Sequence, residues 1–426
     1  MVWEWIAVLF LATVPAWYFK KRGMETQGPL VLWRTKKGLK LLDKFAKYRS
    51  FWADFSDLGI IFCFGIFGAG YLLTKKNQAK VFFSYILFAL AAVLATSPTL
   101  LFGNLANLDG ILVLLFGGFS IFVLYALTGN TLTIISNYLL GIVPLPGVAP
   151  IIPGLEVPGS PIFVPLSAVV SLVILIIVHE FSHGIIAITE KIRVKSLGLL
   201  TLGIFPIGAF TEPDEKQLNK IEMHKRMRVF SAGSMMNFVF AFAFLGLFIP
   251  VNAIINPQLE AEVATHSEYY LIRSVTPGSP AALAGIVNGT KIYNAATAFQ
   301  NRVPGKTEIL NTDKGNIAVI RDSTGAIGVT GSFQNITGLG LDFQLKEIGL
   351  EILLWTATLN FLIGAINYLP FAIFDGARMF EDMLTFYSTR LGLKDGKIAK
   401  KTTKFVGYYI LLLFVINVLP YFVKTI

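Results

Sequence analysis

Val169-Val-Ser-Leu-Val-Ile-Leu-Ile-Ile-Val-His-Glu-Phe-Ser-His-Gly184 decides how this chain is read. Val169 to Val178 is apolar throughout except at Ser171, so the stretch predicts a helix greasy enough to lie in a bilayer. It runs directly into a His-Glu-x-x-His pattern. Residues four apart on a helix lie about 40° apart around the axis and one turn up, so His179 and His183 project from one face. Two imidazoles so placed are half of a zinc site. Glu180 falls on a neighbouring face, where it can accept a proton from a metal-activated water. Ionisable groups at membrane depth are costly and are read as functional by default. The competing reading is a histidine pair satisfied by hydrogen bonds within a bundle.

The rest of the composition agrees with a bilayer setting. The chain has 426 residues, 54% hydrophobic and only 15% charged, whereas soluble domains carry about a quarter charged residues. Several apolar stretches are long enough to span hydrocarbon, which makes this a polytopic α-helical membrane protein. The net charge of +10 is held in short loops between apolar segments. That is the pattern of cytoplasmic loops, and it argues against nucleic acid as a partner. The single cysteine, Cys63, excludes an internal disulfide or a cysteine metal site and reads as packing.

Val2–Phe19 reads as a retained first span, followed by Lys20, Lys21 and Arg22. From Arg34 to Arg49, Leu39, Leu41, Leu42, Phe45 and Tyr48 interleave with Lys40, Lys44 and Lys47, as in a helix lying on an anionic leaflet. Leu58–Thr74, Val81–Leu100 and Ile111–Leu127 are expected as three further spans. Within these four spans the only charge is Glu4, so residues 1–130 read as an accessory bundle without chemistry. Residues 131–160 are rich in proline and glycine and read as an outer loop dipping toward the site. Thr131–Val143 is left open as a short span.

Residues 161–255 form the first part of a core. Its central helix, about Phe163 to Thr189, is followed by Glu190, Lys191, Arg193 and Lys195 and so exits to the cytoplasm, carrying the histidines at that end. Ser196–Thr211 is apolar, glycine-punctuated and without helical period, which predicts short strands or a hairpin at the membrane boundary. Glu212–Arg228 is charged and expected in solvent, with His224 facing water or headgroups. Phe230–Ile254 is a span containing Asn237, an amide that either ties helices together or helps hold a peptide carbonyl.

Residues 256–344 alone have soluble composition, with short β-like runs between glycine turns; span parity places them outside. Around Ser279-Pro280-Ala281-Ala282 a capped helix start is flanked by strands, which resembles a PDZ domain. His266 there is expected to be exposed. Residues 345–426 complete the core. Span Ile348–Tyr368 runs into Asn367-Tyr-Leu-Pro-Phe-Ala-Ile-Phe-Asp375-Gly376-Ala-Arg378, and Pro370 should break the helix, since it lacks an N–H and clashes with the carbonyl of Ile366. The break carries Asp375 into the bundle, where so apolar a setting calls for a cation; capping a helix or pairing with Arg378 is the alternative. Phe405–Phe422 is the last span.

His-Glu-x-x-His in one span and Asn-x-x-Pro-x-x-x-x-Asp-Gly in a later one, with Gly233-x-x-x-Asn237 and the PDZ-like insert, resemble the site-2 protease family of intramembrane zinc metalloproteases over roughly residues 160–385. The resemblance implies Zn2+ held by His179, His183 and Asp375, with Glu180 as catalytic base and Asn237 and Asn367 handling substrate. It implies membrane-anchored protein substrates, a prokaryotic cell membrane as the setting, and an active site toward the cytoplasm. The fold class expected is a helical membrane protein with membrane-associated β-strands and a small extramembrane α+β PDZ-like domain. Rival readings are a transporter or channel with a structural metal and a catalytically silent scaffold. The first predicts inverted repeats, which the sequence lacks; the second predicts loss of Glu180 or of a ligand, and all are present.

Overall fold

A computed structural model describes residues 14–422 apart from 16, 96–107, 158–159, 161, 203–204, 301 and 394–395. The chain divides into two compact units, Met1–Leu245 with Leu354–Ile426, and Gly246–Leu353. Most of the expected first span, Val2–Phe19, lies outside the described residues.

The first unit opens with strands β1 (Glu25–Gln27) and β2 (Leu30–Thr35), the amphipathic helix α1 (Leu39–Ala46), and helices α2 (Arg49–Phe64) and α3 (Ile66–Leu72). The expected span Leu58–Thr74 is therefore not one helix. It starts upstream at Arg49 and breaks at Gly65, whose φ of 56° suits only glycine without strain. Helices α4 (Gln78–Ala95) and α5 (Leu108–Leu139) follow. Thr131 to Leu139, left open by the sequence, is the end of α5, which bends at Gly118 with φ 65°. The two breaks face one another: a Cβ on Gly65 would stand 2.7 Å from the Gly118 nitrogen. Neither position has room for a side chain.

Helix α6 (Ala168–Thr189) leads into the antiparallel hairpin β3 (Val194–Leu202) and β4 (Phe205–Pro213), as the glycine pattern predicted. The sequence reading missed β1 and β2. They complete a four-stranded sheet of order β1-β2-β3-β4, with Leu30 opposite Leu202 and Thr35 opposite Leu197. This leaves β4 as one edge of the sheet. Helix α7 (Glu215–Lys220) is capped by Asp214, whose side chain accepts from the Gln217 amide, and α8 (Met223–Thr265) follows.

The second unit contains β5 (Tyr269–Val275), α9 (Pro280–Leu283), β6 (Lys291–Ile292), α10 (Ala295–Gln300), β7 (Thr307–Thr312), β8 (Gly315–Ile320) and β9 (Val329–Gln334). They form a five-stranded sheet of order β8-β7-β6-β5-β9 around Ile272, Ile292, Leu310 and Val319. Ser279 caps α9 and Pro280 opens it, as expected. His266 is exposed.

Helix α11 (Leu341–Ile366), α12 (Asp375–Arg390) and α13 (Gly396–Val418) complete the chain. Among the described residues, six helices are long and apolar enough to cross a membrane: α4, α5, α6, α8, α11, and α13 with its terminal turn. The chain is an integral membrane protein of helices with two β-sheets. In the first unit, Phe62, Phe119, Phe238 and Phe361 interlock between α2, α5, α8 and α11, with Phe119 and Phe238 centroids 4.5 Å apart. Aromatic pairs of this kind add about 0.5–1.5 kcal/mol each beyond buried area. They set the helices immediately beside Asn237.

Candidate metal centre

Helix α6 presents His179 and His183 from one face, their Nε2 atoms 3.1 Å apart. The third group arrives from the far end of the first unit. Helix α11 ends at Ile366, and the chain turns through Pro370 before α12 starts at Asp375. The first turn of a helix is a favourable place for a carboxylate. Gly376 sits against the broken segment: its N–H donates to the Asn367 carbonyl at 2.8 Å, and a Cβ would stand 2.6 Å from the Leu369 carbonyl. Asp375 Oδ2 thereby lies 3.1 Å from His183 Nε2 and 3.6 Å from His179 Nε2. Ligand atoms of the three residues all lie within 4.8 Å of one another. Arg378 does not pair with Asp375; it lies over the Phe230 ring at 5.1 Å.

These residues fit a metal. A carbonyl can only accept, so His183 Nδ1, 2.7 Å from the Val229 carbonyl, carries the proton, and Nε2 keeps its lone pair toward the centre. Asn237 lies against the other ring, its amide 3.1 Å from His179 Nδ1. The Asn237 side-chain oxygen is buried without a partner. Turning the amide over resolves both points, since a protonated Nδ1 then donates to that oxygen and Nε2 is again free. Gly233 supplies the space. A Cβ there would stand 2.5 Å from His179 Cε1 and 2.6 Å from His179 Nε2, crowding the imidazoles of both histidines. The sequence reading quoted Gly233 without giving it a task, because its need for space arises from a helix far along the chain.

A cavity of about 730 Å³ opens onto this group, lined by His179, Glu180, His183, Asn367, Asp375 and residues Gly208 to Pro213 of β4. Glu180 Oε2 accepts from the backbone N–H of Thr211 at 2.7 Å, and the Thr211 hydroxyl donates to the Glu180 carbonyl at 2.6 Å. Strand β4 is thus tied to the helix that bears the histidines. At the rim, the Ser196 hydroxyl donates to Glu212 at 2.6 Å and Arg34 pairs with it at 3.1 Å. Together they hold the Glu212 carboxyl below the usual glutamate range, the Ser196 bond first.

His224 departs from expectation. It is buried, with Nε2 2.7 Å from Asp57 Oδ1, and not turned to water or headgroups. Its charged neighbours in sequence suggested solvent; the structure gives two of them, Arg226 and Arg228, buried partners in Asp382 and Asp57.

A family model for Peptidase family M50 matches residues 167–414, more than half of the chain. The chain belongs to Peptidase family M50. It is also 27% identical over 247 residues to an uncharacterized protein of Methanocaldococcus jannaschii, covering 55% of this chain. The chain spans 62% of the length of that relative. Members of this family are metallopeptidases, and the His-His-Asp group and the apolar helices of this chain are in keeping with that.

Proposed function

We propose that this protein is an intramembrane metallopeptidase of the site-2 type, cutting membrane-anchored proteins within their transmembrane segments. The observation that carries the reading is the convergence of His179, His183 and Asp375 at the end of a membrane-length helix. His179, His183 and Asp375 would hold zinc. Bound there, zinc supplies Lewis acidity toward a peptide carbonyl and brings the pKa of a water toward neutrality.

The chain's own groups do the rest. Glu180 takes the proton of the attacking water and passes it to the leaving amine nitrogen. The Thr211 N–H occupies Oε2, which leaves Oε1 to carry that proton. His183 is oriented by the Val229 carbonyl and His179 by Asn237, which makes Asn237 a positioning residue. Asn367 lines the cavity, which supports a role for it in meeting the substrate backbone. A peptide bond in an intact helix has its carbonyl hydrogen-bonded and covered. The substrate must unwind, and the edge of β4 offers an extended partner for it.

We read residues 256–344 of the second unit as a PDZ-like module outside the membrane that screens substrates by their external part, and the metal end of α6 as facing the cytoplasm. The capped helix α9 beside β5 supports the first reading. The basic residues after α6 support the second.

The test pairs zinc analysis with cleavage of a panel of single-span proteins, half bearing a bulky external domain. Glu180→Gln should keep one zinc per chain and lose cleavage by at least about 100-fold, the scale of a general base. Retained cleavage in that variant would sink the assignment. Equal cutting of both halves of the panel would count against the screening role.

A further inference from the structure

Below the metal centre lies a second polar cluster that no step above uses. It is built on one turn of α8. Arg226 pairs with Asp382 of α12, Nε to Oδ2 at 2.9 Å. Arg228 forks onto Asp57 of α2, Nε to Oδ1 at 2.7 Å and Nη2 to Oδ2 at 2.8 Å. Its Nη1 reaches Glu190, the residue capping the end of α6, at 2.7 Å. His224 and Lys76 also meet Asp57, at 2.7 and 2.8 Å. The acids are buried: Asp57 and Glu190 side chains are 7% exposed and Asp382 10%.

The spacing relates this cluster to the metal centre. Seven residues separate His183 from Glu190, Asp375 from Asp382, and Arg226 from Gly233. Seven residues are close to two full turns, so each pair lies on one face of its helix, about 10 Å apart along the axis. Each helix that contributes to the metal centre therefore contributes a charge to one layer two turns away. Helix α2 adds the shared counter-ion. The same helix backs the metal centre directly: the Ser231 hydroxyl donates to the Ser56 carbonyl at 2.9 Å, and a Cβ on Gly59 would stand 3.1 Å from Met235 Cβ.

Buried ion pairs are poor stabilisers, because desolvation offsets most of the attraction. What they do well is fix register, since a slipped helix leaves a charge unpaired. We propose that Arg226 and Arg228 are positioning residues that lock α6, α8 and α12 in the register that brings the metal donors together, with Asp57, from outside the family-matched region, as the indispensable partner of Arg228. Resting on the metal-centre reading above, this gives the N-terminal helices a part in the chemistry. Arg228 adjoins Val229, whose carbonyl orients His183, so a shift of Arg228 moves a ligand.

The test uses the full-length protein in detergent with cobalt(II) as the probe. Asp57→Asn, Arg228→Lys and Asp382→Asn should each weaken cobalt binding about 10- to 100-fold, the scale for groups that orient ligands, and alter the visible band of the folded protein. Asp54→Asn cuts the ion pairs of Lys76 and Lys80 at the exposed end of the cluster and should change neither readout. A purely stabilising role predicts a lower Tm with the wild-type band and affinity, and that result in Asp57→Asn overturns the proposal. Should Asp57→Asn fail to fold, Arg228→Lys, which keeps the charge and loses the fork, decides in the same way. Wild-type protein without a band stoichiometric with the chain, or His183→Ala that retains one, would instead sink the metal centre itself and this proposal with it.

Discussion

At the metal centre two imidazoles face one carboxylate, and among the described residues Asp375 pairs with no arginine or lysine. Two turns away, Glu190 at the end of α6, Asp382 of α12 and Asp57 of α2 each meet a guanidinium of α8. Both clusters are buried in one helical unit, yet only the second balances its charges with its own side chains. The first has lone pairs converging on a space kept open by Gly233, the arrangement of a site for a cation. The second is closed. Burial of ionisable groups alone therefore does not mark a reactive site here; what marks it is a converging donor set that meets no arginine or lysine among the described residues.

The largest effect should come from filling the open cluster. Gly233→Ala places a methyl among the donors and should bring zinc content to background while leaving the ionic layer and the fold in place. Gly246→Ala, in open space on the same helix, is the control and should bind zinc as wild type does. Zinc retained at one per chain in Gly233→Ala would break the contrast.

Next in size is the support of His179. Asn237→Ala should weaken zinc binding by about 10- to 100-fold. Asn237→Asp should bind at least as well as wild type, because a carboxylate still accepts from Nδ1–H. Chelator competition reads both, and weaker binding in the Asp variant than in the Ala variant would reverse the proton assignment on His179.

The smallest effect belongs to the rim, where charges are exposed and screened. Glu212 has a lowered pKa. Its contribution is complete above the ordinary glutamate value of about 4.3 and is lost as pH falls through the lower folded value. Amide exchange in β3 and β4 should quicken over that acid window, by an amount worth no more than about 1 kcal/mol. Glu212→Gln should show the faster exchange at neutral pH already; the same pH dependence in both proteins would assign the effect elsewhere.

The metal helix, the hairpin after it and the break at Pro370 were legible because each rests on local chemistry: periodicity, glycine spacing, a missing N–H. The positions of His179, His183 and Asp375 followed from residue type and membrane depth. What stayed hidden was set by partners distant in sequence. Strands β1 and β2 sit between two basic stretches and acquire their place in the sheet from β3. Asp57 stood just outside the span expected at Leu58, and His224 among lysines and arginines, so neither looked buried. The divisions at Gly65 and Gly118 are two halves of one contact, visible only when α2, α3 and α5 are packed.

Thr211 pairs with Leu197 in the sheet, yet its N–H goes to Glu180, so at this position the backbone of β4 turns its polar groups away from β3. By the two-residue repeat of a strand, Ala209 and Pro213 turn the same way. Pro213 has no amide hydrogen and that of Thr211 is spent on the base. Between Ala209 and Pro213, a guest strand laid along this border would then have the Ala209 amide as its donor. On the proposed reading, the alignment of a cut chain relative to the metal would be set by backbone amides, which would let one protease accept many sequences while still cutting each at a defined depth.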